Sequence, residues 1–133
     1  MKTLIVEDEF TSRALLREIL KRYGVPDIAM NGKQAVDAVS AALQAGEPFD
    51  LICLDIVMPE MNGHEALKRI RQLEVEAGVE TEKRAKVIMT TALADRSNVL
   101  EAIQGQCDYF LVKPIDSRAL LEELRRMKLI PQA

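Results

Sequence analysis

Leu51-Ile52-Cys53-Leu54-Asp55-Ile56-Val57-Met58-Pro59 is the stretch that decides the fold. Four consecutive apolar residues closed by an acid are too few for a buried helix. They suit a strand covered on both faces, as strands of a parallel sheet are. Similar short runs stand at Thr3 to Val6, Ile28 to Met30, Val87 to Thr90 and Tyr109 to Val112, which predicts five strands in all.

Between the strands, apolar residues recur at helical spacing: Leu15, Leu16, Ile19, Leu20 and Tyr23; Val36, Val39 and Leu43; Leu67, Ile70 and Leu73; Val99, Leu100 and Ile103; and finally Leu120, Leu121, Leu124 and Met127. Gly24, Gly46, Gly78 and Gly105 follow helical stretches, where a left-handed residue is wanted. Thr11, Asn31, Asn62, Asp95 and Asp116 are expected N-caps. Strict alternation of strand and helix predicts an α/β domain, a doubly wound parallel sheet with right-handed crossovers and helices on both faces. The charged segment from Arg71 to Lys86, with Glu74, Glu76, Glu80 and Glu82, reads as the end of the third helix followed by a solvated loop.

The 133 residues, 48% of them hydrophobic, amount to a single domain spanning residues 1–133. A chain of this size buries roughly 65–70% of its unfolded surface and needs no metal or disulfide to hold its core. A formal charge of −3 argues against a non-specific nucleic-acid binder, which would carry a basic stripe, so no direct DNA binding is expected. No apolar run approaches a membrane span, and Glu7-Asp8-Glu9 interrupts the N-terminal strand too early for a signal peptide, so a cytoplasmic protein without membrane insertion is expected. Cys53 and Cys107 lack metal-ligand spacing and read as reduced thiols. The lone histidine, His64, cannot build a triad or a metal cluster by itself, so the chemistry falls to carboxylates.

Open α/β sheets bind ligands beyond the carboxyl ends of their strands, where the strand order reverses. At those ends stand Glu7 and Asp8 (first strand), Asp55 (third), Thr91 (fourth) and Lys113 followed by Pro114 (fifth). Five strands favour the order 2-1-3-4-5, which brings Glu7, Asp8 and Asp55 together at the switch point. Three clustered carboxylates repel. A hard cation relieves them at neutral pH, and Mg²⁺ suits a site of carboxylates and waters. Asp55, alone at the mouth of its strand, is the expected nucleophile. With a metal, an amine and a hydroxyl beside it, the parts needed for phosphoryl transfer are assembled, and the product would be an aspartyl phosphate.

These residues resemble the receiver domain of two-component response regulators over essentially the whole chain. The motifs are Leu4-Ile5-Val6-Glu7-Asp8-Glu9, Asp55 through Gly63, Thr90-Thr91-Ala92 and Val112-Lys113-Pro114. The resemblance implies a flavodoxin-like (βα)5 fold, with Asp55 accepting phosphoryl groups from a sensor histidine kinase or phosphotransfer protein. It implies Mg²⁺ held by Asp8, Asp55 and the backbone carbonyl of Val57, with Glu7 reaching the metal mainly through water. Thr91 would hydrogen-bond the phosphoryl group, Lys113 would pair with Asp55 and then with the phosphate, and the bond to Pro114 would be cis.

The same resemblance makes Phe110 the switch aromatic in place of the commoner Tyr, while as a plain residue it reads as edge core. Val57 and Leu93 flank the expected route of a hydrolytic water, and both are apolar, which implies slow self-dephosphorylation. His64 is expected to be solvent-exposed at a helix start. A stand-alone receiver is expected, since the residues after Lys113-Pro114 suffice for one last helix only, so output would pass to a separate, unknown protein. The output face would comprise the fourth helix, fifth strand and fifth helix, with Asn98, Glu101, Gln104, Asp108, Arg118, Glu122 and Arg125 on its surface. Two rivals remain at this point: a Mg²⁺-dependent phosphohydrolase with an aspartyl nucleophile, disfavoured because Val57 stands where its second acid belongs, and a binding module that signals without phosphorylation.

Overall fold

The computed structural model describes residues 1–58, 61–92 and 107–132. Its strands are β1 (Thr3–Val6), β2 (Asp27–Ala29), β3 (Leu51–Asp55), β4 (Lys86–Thr91) and β5 (Tyr109–Val112). Its α-helices are α1 (Phe10–Leu20), α2 (Gly32–Gln44), α3 (Gly63–Glu76) and α4 (Ser117–Arg126), with short 3₁₀ turns at Lys21–Tyr23 and Thr81–Lys83. Thus α4 is the last helix expected from the sequence. The stretch expected as the helix before it, with Asp95, Asn98, Val99, Leu100, Glu101, Ile103, Gln104 and Gly105, lies outside the described residues, as do Leu93 and Pro59.

All strand pairs are parallel, and the order is β2-β1-β3-β4-β5, as the alternation predicted. Successive side chains of each strand point to opposite faces, so two separate cores form. Leu4, Val6, Ile52, Leu54, Val87 and Met89 pack with Ala35, Val39, Leu67 and Ile70 of α2 and α3. Ile5, Leu51, Cys53 and Ile88 pack with Leu16 and Leu20 of α1 and with Leu120 and Leu124 of α4. Every residue of β3 is buried, which explains its continuous apolar run. Cys53 and Cys107 are free thiols, and full burial pushes the Cys53 thiol up to about 12.

Several local expectations need correction. The N-cap of α1 is Glu9, whose carboxylate accepts from the Ser12 backbone N–H, and Thr11 lies inside the helix. Glutamate is a poor intrinsic cap, so the residue type misled. Asn31, Asn62 and Asp116 cap α2, α3 and α4 through their side chains, as expected. His64 is buried at the start of α3 rather than exposed. Glu74, on the closing turn of α3, is buried too. No described helix is long and apolar enough to cross a membrane.

Candidate functional site

The register of the sheet sets the site. Val6 of β1 pairs with Leu54, and Asp55 pairs with Thr90, so the acids following β1 and the acid ending β3 fall at one level. The ladder continues one residue beyond the strands: the Glu7 N–H donates to Ala29 O (3.1 Å), Ile56 N–H to Thr90 O (2.9 Å) and Lys113 N–H to Thr91 O (2.7 Å). These bonds deliver Glu7, Asp55, Thr91 and Lys113 to a common edge. The bond between Lys113 and Pro114 is cis, as the resemblance implied.

Glu7 and Thr91 have no exposed surface, Asp55 is buried, and Asp8 is exposed. Glu7, Asp8 and Asp55 each offer a carboxylate oxygen within 4.8 Å of the others. Lys113 Nζ reaches in from the end of β5 and lies 2.5 Å from Glu7 Oε1 and 3.4 Å from Asp55 Oδ2. The lysine therefore bridges two acids and sits closer to Glu7. Burial, reinforced by the neighbouring Glu7 charge, pushes the Asp55 carboxyl up to about 7, with Lys113 pulling the other way. Burial lowers the Lys113 ammonium but its two carboxylate partners outweigh this and hold it above its ordinary value.

A net excess of buried negative charge thus persists after Lys113 is counted. The donor set is all oxygen, compact, and open to solvent on the Asp8 side, which fits a hard divalent cation that keeps part of its water shell. Glu7, Asp8 and Asp55 are the residues whose carboxylates would hold it.

Gly63 seats α3 against this edge. Its N–H donates to Ile56 O at 2.8 Å, and an added Cβ would come within 2.3 Å of Asp55 O and 2.8 Å of Ile56 Cα. Backbone cannot swing aside as a side chain does. Gly63→Ala is therefore expected to destabilise by about 1–2 kcal/mol in urea unfolding, despite the better helix propensity of alanine. A variant as stable as the parent would show that the contact is slack.

The other expected positions are distributed as follows. Phe110 is half-buried and packs on the α2–α3 core, and Tyr109 beside it is exposed. Val57 is 60% exposed beside Asp55. Arg118 and Glu122 are exposed on α4, and Arg125 is half-buried. Asp108 is not a free surface acid: its carboxylate accepts from Val87 N–H (2.8 Å) and from Arg71 Nη2 (3.1 Å).

Two arrangements had no signal in the sequence. Arg71, the first, donates to Glu74 and Asp108, joining α3 to the starts of β4 and β5. Arg13, the second, bonds the backbone carbonyls of the acids after β1. Each partner set is assembled by the fold, and no spacing rule marks it.

One family matches residues 3–125, the response regulator receiver domain. The chain is 35% identical over 127 residues to the chemotaxis protein CheY of Bacillus subtilis, covering 94% of this chain and 95% of that one. Among solved structures, the receiver domain of the Arabidopsis thaliana histidine kinase CKI1, complexed with Mg²⁺ and BeF3⁻, superposes with a TM-score of 0.79 at 30% identity over 97% of this chain and 90% of that one. CheY in the CheX–CheY–BeF3–Mg²⁺ complex of Borrelia burgdorferi superposes with a TM-score of 0.78 at 28% identity over 99% and 90% of the two chains.

Proposed function

The chain belongs to the response regulator receiver family, and from that premise we propose that it is a phosphoacceptor switch whose acceptor is Asp55. Receivers of this family are signalling switches of two-component systems. The observation that carries the assignment is the ammonium of Lys113 lying between the buried carboxylates of Glu7 and Asp55, beside the exposed Asp8.

In the proposed reaction, an Asp55 carboxylate oxygen attacks the phosphorus of a phosphohistidine on a sensor kinase or phosphotransfer protein. The P–N bond breaks, its electron pair stays on the imidazole, and Asp55 carries a mixed anhydride. A Mg²⁺ ion held by Asp8, Asp55 and the Val57 carbonyl, with Glu7 reaching it mainly through water, would offset the charge on the transferring oxygens. Lys113 moves its ammonium from the carboxylates to the phosphoryl oxygens, and the Thr91 hydroxyl donates to one of them. Phe110, seated between core and surface, then changes its packing and shifts a pre-existing two-state equilibrium of the β5 and α4 face. Arg118 and Glu122 give that face charges for a separate downstream protein.

Acetyl phosphate with Mg²⁺ tests this directly. Intact mass spectrometry is expected to show the addition of one phosphate, lost in Asp55→Asn. No addition from any donor would refute phosphorylation as the switch. The exposed Val57 offers no group to orient an attacking water, so the phosphoprotein is expected to outlast the seconds scale. Radiolabel decaying within seconds would overturn that expectation.

A further inference from the structure

The geometry assigns to Arg13 the role of positioning the two acids that follow β1, an inference that rests on the proposed Mg²⁺ site. Arg13 Nη1 donates to Glu7 O (3.2 Å) and to Asp8 O (3.3 Å). A single guanidinium nitrogen thus holds two successive carbonyls, whose directions fix the backbone from which both carboxylates project.

Several of the loop's other polar groups are secured elsewhere. The Glu7 N–H is tied to Ala29 O, the Glu9 N–H donates to the Glu7 carboxylate (3.2 Å), and the Glu9 carboxylate caps α1. The two carbonyls are held by Arg13, reaching back from the first turn of α1. Its guanidinium lies 5.5 Å from the centroid of the Phe10 ring. Phe10 is 72% exposed, and stacking on Arg13 gives this ring a function that core packing does not.

The sign of the effect separates positioning from charge. A cation beside an acidic site repels Mg²⁺, so if Arg13 acted through its charge alone, its removal would tighten Mg²⁺ binding. A positioning role predicts the opposite. Losing an outer partner of metal ligands typically weakens binding 10–100-fold, and Arg13→Ala is expected to raise the Mg²⁺ Kd about tenfold.

The test is a MgCl2 titration of the ¹⁵N-labelled chain, following the amides of Glu7, Asp8 and Glu9, with thermal unfolding run on each variant. Arg13→Lys keeps the charge but has no planar guanidinium to stack on Phe10 while it reaches the carbonyls, and an intermediate Kd is expected. It also carries the test should Arg13→Ala lose its fold. Phe10→Ala is expected to weaken binding less than Arg13→Ala does. Acetyl phosphate labelling of Arg13→Ala should recover at high Mg²⁺. An Arg13→Ala Kd equal to or lower than that of the parent overturns the role. A parent chain that binds no Mg²⁺ overturns the proposed site itself, and the role of Arg13 with it.

Discussion

Arg71→Ala is expected to lose about 3–5 kcal/mol of stability in urea unfolding, with the m-value unchanged. Arg71 Nη1 donates to Glu74 Oε1 (2.7 Å) and to Ala85 O (2.8 Å), and Nη2 donates to Asp108 Oδ2 (3.1 Å). The arginine and glutamate side chains are 11% and 4% exposed. Glu74 uses its second oxygen to accept from the Ala85 N–H (2.8 Å), and Asp108 accepts from the Val87 N–H. One guanidinium therefore fastens the end of α3 to the starts of β4 and β5. Removing it leaves the Glu74 carboxylate buried beside a single amide donor, and an uncompensated buried charge costs far more than a lost surface pair. Against a typical total of about 5–15 kcal/mol, the loss is large. The double variant Arg71→Met with Glu74→Leu removes both charges and is expected to recover much of it, since apolar replacement of a whole buried pair is often close to neutral. A loss under 1 kcal/mol in Arg71→Ala would show that water reaches Glu74.

This buckle also marks the limit of what the sequence discloses. The run Leu51 to Leu54 announces a strand buried on both faces because hydrophobicity and strand geometry are local properties. The topological switch point then places Glu7, Asp8 and Asp55 together by a general rule, and the register bears that placement out. Glu74, Arg71 and Asp108 behave differently. Arg71 and Asp108 lie 37 positions apart in sequence, and a charged side chain gives no sign of whether its partner will be water or a distant arginine. The charged segment reads as a helix end followed by a solvated loop, and nothing in it tells which way Glu74, on the closing turn of that helix, would face; the fold buries it. His64 misled for a related reason: a polar residue one position into a helix is usually wet, yet Gly63 brings this turn against the backbone of Asp55 and Ile56, and His64 is drawn in with it. The N-cap of α1 fell to Glu9 because the β1–α1 loop turns there, a consequence of packing around the acids that residue preference does not report.

Asp55→Asn is expected to be more stable than the parent chain above neutral pH in the absence of divalent cations, by on the order of 2 kcal/mol. The cause is the raised Asp55 carboxyl, at about 7 against an ordinary 3.8. Below 3.8 the group is protonated in both the folded and unfolded states and contributes no difference. As pH rises from there towards 7, the unfolded chain releases the proton while the folded chain keeps it, so stability falls across that window. Above it the folded state carries the full cost of a buried third carboxylate. The complete displacement would be worth about 4 kcal/mol, and re-pairing of Lys113 with water and Glu7 discounts it. Asparagine has no such titration, so the difference between variant and parent should be near zero at low pH, grow through the window, and level off above it. Mg²⁺ should reverse the order, because binding to the folded parent adds stability as RT ln(1 + [Mg²⁺]/Kd) while the variant has lost a ligand. Thermal unfolding at several pH values, with and without MgCl2, checks both signs. A difference independent of pH would mean that Asp55 gains its charge at no cost, and that the cluster is not strained toward a cation.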